Sequence, residues 1–463
     1  MRNQIDPNSA LLTDLYHVDS AFISWQADRN GHSTFDLYTR SAPFGGSWML
    51  VAGLELAASF ASAFHYSDDD IAWLKTIRAY PAEFWAVLRR TRFTGEILAM
   101  AEGEIAFPGE PMVRVTAPFR EALLLESGLL HTIGVSTLLA TKAARVVHAA
   151  GDKPVAEFAF RRAQEPWLTA RSAWIAGCRS TSFLAAAREY GIPASGTIPH
   201  ALIQAFPTER AAFLAVAEAE SAFTLLLDTY DVRRSILLAI DTARTAQEQW
   251  GHRLAAVRLD SGDIDADARF CRHLLDEAGL TDVQILASGD LDEFGIADLE
   301  AINSPIDAYG VGTSLGVAAG SLPHGVPGGA LGAVYKLVWY DSDRDGVSSA
   351  EEAPIKIAGA KSTWPGRKQI SRRDPFAEDI IHLEDEQPGP EWRPLLQPVV
   401  RHGHIIPNTL PTLKQIRERA RQSLADLPAA YHQMTNAPKY PLLNSPDLIA
   451  LRDATIARKQ SET

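Results

Sequence analysis

After Gly151 the chain repeats a pattern that few folds can absorb. Short apolar runs of strand length recur at spacings of about 30 residues or less, most of them separated by stretches of helical period such as Asp265–Leu280. The runs are Val155–Phe160, Ile192–Thr197, Phe223–Asp228, Leu254–Asp260, Val283–Ser288, Ile306–Thr313 and Ala333–Tyr340. Alternation of this kind predicts successive βα units and a parallel sheet or barrel. The runs end in polar clusters: 161–164, 195–200, 228–231, 258–263, 288–293 and 310–314. Loops that follow strand C-termini in parallel α/β folds converge on one face, and that face carries the site. The clusters therefore predict one functional rim.

The flanking segments read differently. Residues 69–93 carry apolar positions at helical spacing broken by Pro81, residues 95–118 show β-type runs between Gly and Pro, and residues 121–151 form a long helical pattern ending at a Gly. After Leu337 the pattern loosens into turns, a Pro-rich segment and a last helix over 412–427. A 463-residue chain that is 46% hydrophobic can bury a large core in two or more units. Its formal charge of −13 argues against a nucleic-acid or anionic-membrane face, so an anionic substrate must meet local arginines. Two distant cysteines, Cys178 and Cys271, give no disulfide framework or thiolate zinc site. No signal-peptide pattern opens the chain and no apolar run is long enough to span a membrane, so the expectation is a cytoplasmic protein with no membrane partner.

Individual motifs narrow the chemistry. Arg161, Arg162 and Arg258 lie on the predicted rim, where guanidinium forks bind carboxylates or phosphates. With Phe158, Phe160 and Tyr16 they point to a flat anionic aromatic ligand beside phosphates. Asp260 and Asp263 flank Ser261-Gly262, a loop suited to ribose hydroxyls or a metal-bound phosphate. Gly310–Gly316 departs from a dinucleotide fingerprint by one residue but retains small-residue amides able to cradle a phosphate, with Thr313 adding a hydroxyl. His200 stands behind Pro199 and ahead of an apolar run, which by itself fits a histidine at a helix start. Asp341–Glu352 matches the calcium-loop pattern literally, yet a strand-like run precedes it and Pro354 follows, so it reads as a solvated acidic hairpin loop. No metal site is assigned to the chain's own residues.

Taken in order, 11–22, 42–55, 160–164, 190–206, 226–236, 257–263, 306–315, 330–338 and 361–370 resemble the nicotinate phosphoribosyltransferase family. The resemblance implies a type II phosphoribosyltransferase: an irregular parallel α/β barrel over 131–340, joined to an open-faced α+β sandwich built from 1–130 and 341–463. It implies transfer of phosphoribose from phosphoribosyl pyrophosphate to nicotinate, giving nicotinate mononucleotide in NAD salvage. ATP hydrolysis is coupled through a phosphorylated histidine with Mg²⁺ accompanying the phosphates, in a homodimer with a shared active site. By the same resemblance Tyr16 of the neighbouring subunit stacks on the pyridine, Phe158 or Phe160 covers its other face, and Thr197 and Arg258 hold the carboxylate. Arg161 belongs to the substrate site, Ser288, Gly310, Gly312 and Thr313 to the phosphate site, and His200 with Arg258 and Asp260 to catalysis. The chain departs from the family pattern at Glu157–Phe160, Arg179, Pro199, Ala201 and Gly289. Another pyridine such as nicotinamide, or a silent nucleotide or pyridine sensor, is the alternative those departures raise.

Overall fold

The structure is a computed structural model that describes residues 9–341, 351–357 and 363–461. It divides into two compact units, Met1–Leu138 with Ala330–Thr463, and Leu139–Gly329. The division falls inside one long helix, Glu126–Ala149. No helix among the described residues is long and apolar enough to cross a membrane.

The first unit holds a seven-stranded sheet and a four-stranded sheet. In the larger, His32–Thr39 lies between Pro111–Pro118 and Ala333–Asp341, antiparallel to both. Phe35 and Leu37 are buried. Pro81 breaks the helical run of 69–93 as expected, giving helices Asp68–Ile77 and Ala82–Arg90, the first closed by a capping box between Ser67 and Asp70. One expectation fails here. Ala333–Tyr340, read as a barrel strand, belongs to this antiparallel sheet, because an apolar run does not reveal which sheet it will join.

In the smaller sheet, Lys368–Arg373 pairs antiparallel with Glu378–Leu383, which pairs parallel with Leu442–Asn444. Arg372 is fully buried there. Its Nε reaches Asp379 at 2.9 and 3.1 Å, its Nη2 reaches Asp379 Oδ2 at 2.7 Å and the Ile105 carbonyl at 2.9 Å, and Tyr440 donates to the same carboxylate. The acidic loop's central residues lie outside the described residues. Its flanks, Tyr340–Asp341 and Glu351–Glu352, pair antiparallel.

The second unit carries a six-stranded sheet in which every pair is parallel, in the order Ser180–Thr181, Val155–Glu157, Ala308–Val311, Gln284–Ala287, Arg253–Leu259, Ala222–Leu226. This is the sheet of an open, irregular α/β barrel, with helices such as Val232–Trp250 and Ile264–Glu277 between strands. Val257, Leu259, Ile285, Ala287 and Val311 are buried. Ile192–Thr197 is not a strand as expected; only an isolated bridge joins Ala194 to Thr181, since Pro193 has no N–H for a ladder. Both cysteines are buried, and burial pushes the Cys271 thiol up to about 12.

Candidate active site

The rim is built by a division of labour among its acids. Asp231, Asp263 and Asp292 cap the helices that follow their loops, accepting from the backbone N–H of Arg234, Ala266 and both Phe294 and Gly295. These three are consumed by local structure. Asp228 and Asp260, at the strand ends themselves, face one another's loops instead: Asp228 Oδ2 accepts from the Asp260 amide at 3.2 Å and from Ser261 Oγ at 2.5 Å.

Arg258 is the hub. Its Nε donates to Ser288 Oγ at 2.8 Å, Nη1 to Thr197 Oγ1 at 2.6 Å, and Nη2 to Asp260 Oδ1 at 2.5 Å. Ser288 also donates to Asp260 Oδ1 at 2.5 Å. Burial works against the Asp260 charge, but the Ser288 hydroxyl, the guanidinium and His200 outweigh it and hold the carboxyl below its usual range. A guanidinium carries five N–H donors, so three fixed bonds set its plane and leave two for a ligand. The Phe158 ring lies 5.9 Å from the guanidinium carbon.

His200 is the first residue of the helix His200–Gln204, as its sequence setting predicts, and it also joins the rim. Its Nδ1 lies 3.0 Å from Thr229 Oγ1. Its Nε2 lies 3.8 Å from Asp260 Oδ2 and 4.0 Å from Asp228 Oδ1, an oxygen that is buried and without a hydrogen-bond partner among the described residues.

Two glycines make the close approaches possible. A Cβ on Gly289, whose φ is +83°, would stand 1.8 Å from the Asp260 carbonyl oxygen, so the Ser-Gly-Asp turn meets the Asp260 backbone only without a side chain. A Cβ on Gly310 would strike the Phe158 ring at 2.5 Å. Gly312 leads into the helical turn Thr313–Gly316, whose first N–H groups have no partner within the helix. Glu157, buried at the end of its strand, accepts from the Ala159 amide and the Thr181 hydroxyl and so fixes the backbone on either side of Phe158; burial raises its carboxyl above the usual range.

Thr197, His200, Arg258, Asp260 and Ser288 therefore form one network beside Phe158. Phe160 stacks on Phe183 at 4.1 Å and is about half exposed. Arg161 is exposed and makes no ion pair among the described residues. Tyr16 lies in the first unit on the helix Leu15–Gln26, 57% exposed. Sequence reasoning marked 228–231 as a polar strand end without assigning Asp228 or Thr229. The available signal was a carboxylate directly after a buried strand, ahead of a second Asp in cap position.

Known proteins resemble the chain along most of its length. The nicotinate phosphoribosyltransferase (NAPRTase) N-terminal domain matches residues 11–134 and the corresponding C-terminal domain matches 367–452. The nicotinate phosphoribosyltransferase pncB2 of Mycobacterium tuberculosis is 40% identical over 90% of this chain and 88% of its own. That of Bacillus subtilis is 38% identical over 84% and 79%. The crystal structure of human nicotinic acid phosphoribosyltransferase covers 96% of this chain and 99% of its own at a TM-score of 0.82 and 28% identity.

Proposed function

The chain belongs to the nicotinate phosphoribosyltransferase family and makes nicotinate mononucleotide in NAD salvage, and we propose that it couples this synthesis to ATP hydrolysis through phosphorylation of His200. The observation that carries the substrate assignment is Arg258, pinned on three sides with two N–H donors left beside an aromatic ring. A pyridine carboxylate fills that geometry: its carboxylate meets Arg258 and Thr197, and its ring lies against Phe158. Holding the carboxylate fixes the ring nitrogen, which attacks C1 of phosphoribosyl pyrophosphate as pyrophosphate departs. In-line positioning and stabilisation of the departing charge are what the protein contributes to such a transfer. The 5-phosphate takes the amides at Gly312 and Thr313, at the start of the helical turn.

With Nδ1 held by Thr229, Nε2 is the phosphoacceptor of His200. The two nearby carboxylates would repel a phosphoryl group on that nitrogen. They fit Mg²⁺, which takes one or two carboxylates together with phosphate oxygens, and the unpartnered Oδ1 of Asp228 is the oxygen to offer it. Among the described residues no group of three His, Cys, Asp or Glu would hold a metal alone, so these carboxylates would hold the ion only together with phosphate oxygens. Held there, it would neutralise charge on the transferring groups. The enzyme works as a cytoplasmic homodimer in which Tyr16 closes the neighbouring subunit's pyridine site.

Purified protein given nicotinate, phosphoribosyl pyrophosphate and Mg²⁺ forms nicotinate mononucleotide, and ATP accelerates it. His200→Ala keeps the ATP-independent rate and loses the acceleration. ATP stimulation that survives in His200→Ala overturns the phosphohistidine, and absence of product under all conditions overturns the function.

A further inference from the structure

Behind the turn Thr313–Gly316 lies a buried cluster of charge that the chemistry at the rim does not use. Lys142 and Arg145 stand three residues apart on one face of the helix Glu126–Ala149, and both reach Glu293, the first residue of the helix Glu293–Ala301. Lys142 Nζ donates to Glu293 Oε2, and Arg145 Nε donates to Oε1 at 3.0 Å. The side chains of Lys142 and Glu293 are fully buried, and that of Arg145 is 6% exposed. Lys142 makes a further bond: its Nζ donates to the Ala319 carbonyl at 2.7 Å. One ammonium group therefore holds two segments, the loop that runs from Ser288 into Glu293 and the chain that leaves the turn Thr313–Gly316.

Both segments connect stiffly to the rim. The amides of Gly316, Val317 and Ala319 donate to the carbonyls of Gly312, Thr313 and Ser314 at 3.0, 3.1 and 2.8 Å, so the turn and Ala319 move as one piece. On the other side Ser288 is bonded to Arg258 and Asp260, and Asp292 caps the helix that Glu293 begins. Ser314 Oγ donates to the Leu291 carbonyl at 2.5 Å, and the His324 ring stacks on Phe294 at 4.2 Å, joining the same two segments without charge. Apolar residues of similar volume often match or exceed a buried ion pair in stability. Three charges buried at this junction therefore point to a requirement of placement and not of stability alone.

We propose that Lys142 is a positioning residue: by binding Glu293 and the Ala319 carbonyl together, it sets the amides of Gly312 and Thr313 where the 5-phosphate of phosphoribosyl pyrophosphate is held. The proposal rests on the assignment of the 5-phosphate to those amides. A phosphate anchored there fixes the far end of the ribose, and displacement of the anchor swings C1 away from the line of attack by the pyridine nitrogen. The pyrophosphate end of the substrate does not meet this turn and serves as the control.

Competition against phosphoribosyl pyrophosphate in the full-length protein tests it. In Lys142→Met the inhibition constant of ribose 5-phosphate rises about tenfold, the equivalent of one lost hydrogen bond to a charged group, while that of pyrophosphate and the KM for nicotinate at saturating phosphoribosyl pyrophosphate stay unchanged. Where Lys142→Met does not fold, Lys142→Met combined with Glu293→Gln removes both charges together, leaves Arg145 an acceptor, and is read in the same way. Thr313→Val, which alters the turn itself, separates two failures. A ribose 5-phosphate constant raised in Thr313→Val but not in Lys142→Met overturns the positioning role alone, and one unchanged in both overturns the phosphate assignment with it. Equal weakening of ribose 5-phosphate and pyrophosphate, or a lowered Tm with both constants unchanged, shows that Lys142 serves only the fold and overturns the proposal.

Discussion

Arg258 and Arg372 are the same residue under opposite conditions. Arg372 is enclosed: it lies between the rings of Phe107 and Phe376, its centre 5.5 and 4.4 Å from them, while Asp379, Ile105 and Glu104 take up its donors. Arg258 stands at a strand end with side-chain exposure of 14%, oriented by Ser288, Thr197 and Asp260 and not saturated by them. Arg372 spends four of its five N–H donors on buried partners, whereas Arg258 spends three and keeps two at a partly exposed strand end. Orientation without saturation is what separates a binding arginine from a structural one, and ion-pair counts alone do not reveal it.

The largest effect that can break this comparison lies in the first unit. Arg372→Met strands the Asp379 charge in the interior and should cost about 3–5 kcal/mol of stability, read by denaturant unfolding, with the KM for nicotinate unchanged in the folded fraction. A raised KM would show that Arg372 is not merely structural. Next comes Arg258→Gln: kcat/KM for nicotinate should fall about 10²–10³-fold, with stability within ~1 kcal/mol of wild type because the site is partly solvated. Spared turnover of nicotinamide in that variant would identify the neutral carboxamide as the better substrate.

The smallest effect concerns pH, where the two regions carry opposite signs. Burial and the Asp379 charge push the Glu110 carboxyl well above its usual range. Its protonated form therefore stabilises the fold fully below the unfolded value of about 4.3, and that contribution is lost as pH rises towards the raised value. Asp260 is depressed, so its contribution is full above about 3.9 and is lost only as pH falls through its lower folded value. Glu110→Gln should flatten the decline in Tm between pH 5 and pH 8, a difference of about 2 °C measured by calorimetry. An unchanged slope would mean that Glu110 does not titrate with folding.

The parallel sheet and its rim were legible because buried strands and polar strand ends have distinct composition. Membership of a sheet was not: nothing local in Ala333–Tyr340 tells a parallel strand from a strand antiparallel to His32–Thr39. Pro193 defeated the strand expected at 192–197 for the converse reason, as apolar content outweighed the missing N–H. At the site, the arginine and the histidine were readable by type and place. The split between capping and rim acids was not, because Asp228 and Asp231 differ only in which backbone amide each one faces. Ser288 likewise gains its meaning from the Asp260 carboxylate, 28 residues away in sequence, and Gly289 from the Asp260 backbone.

The two interior cysteines have a practical corollary. With Cys178 and Cys271 both buried and the Cys271 thiol held protonated up to about 12, the folded protein presents maleimide reagents with no fast-reacting native thiolate. A single cysteine introduced at an exposed position away from the rim, such as Trp73 in the first unit or Leu322 in the second, could therefore carry a fluorophore without first stripping the chain of its own sulfur. Each domain could then be watched separately during turnover.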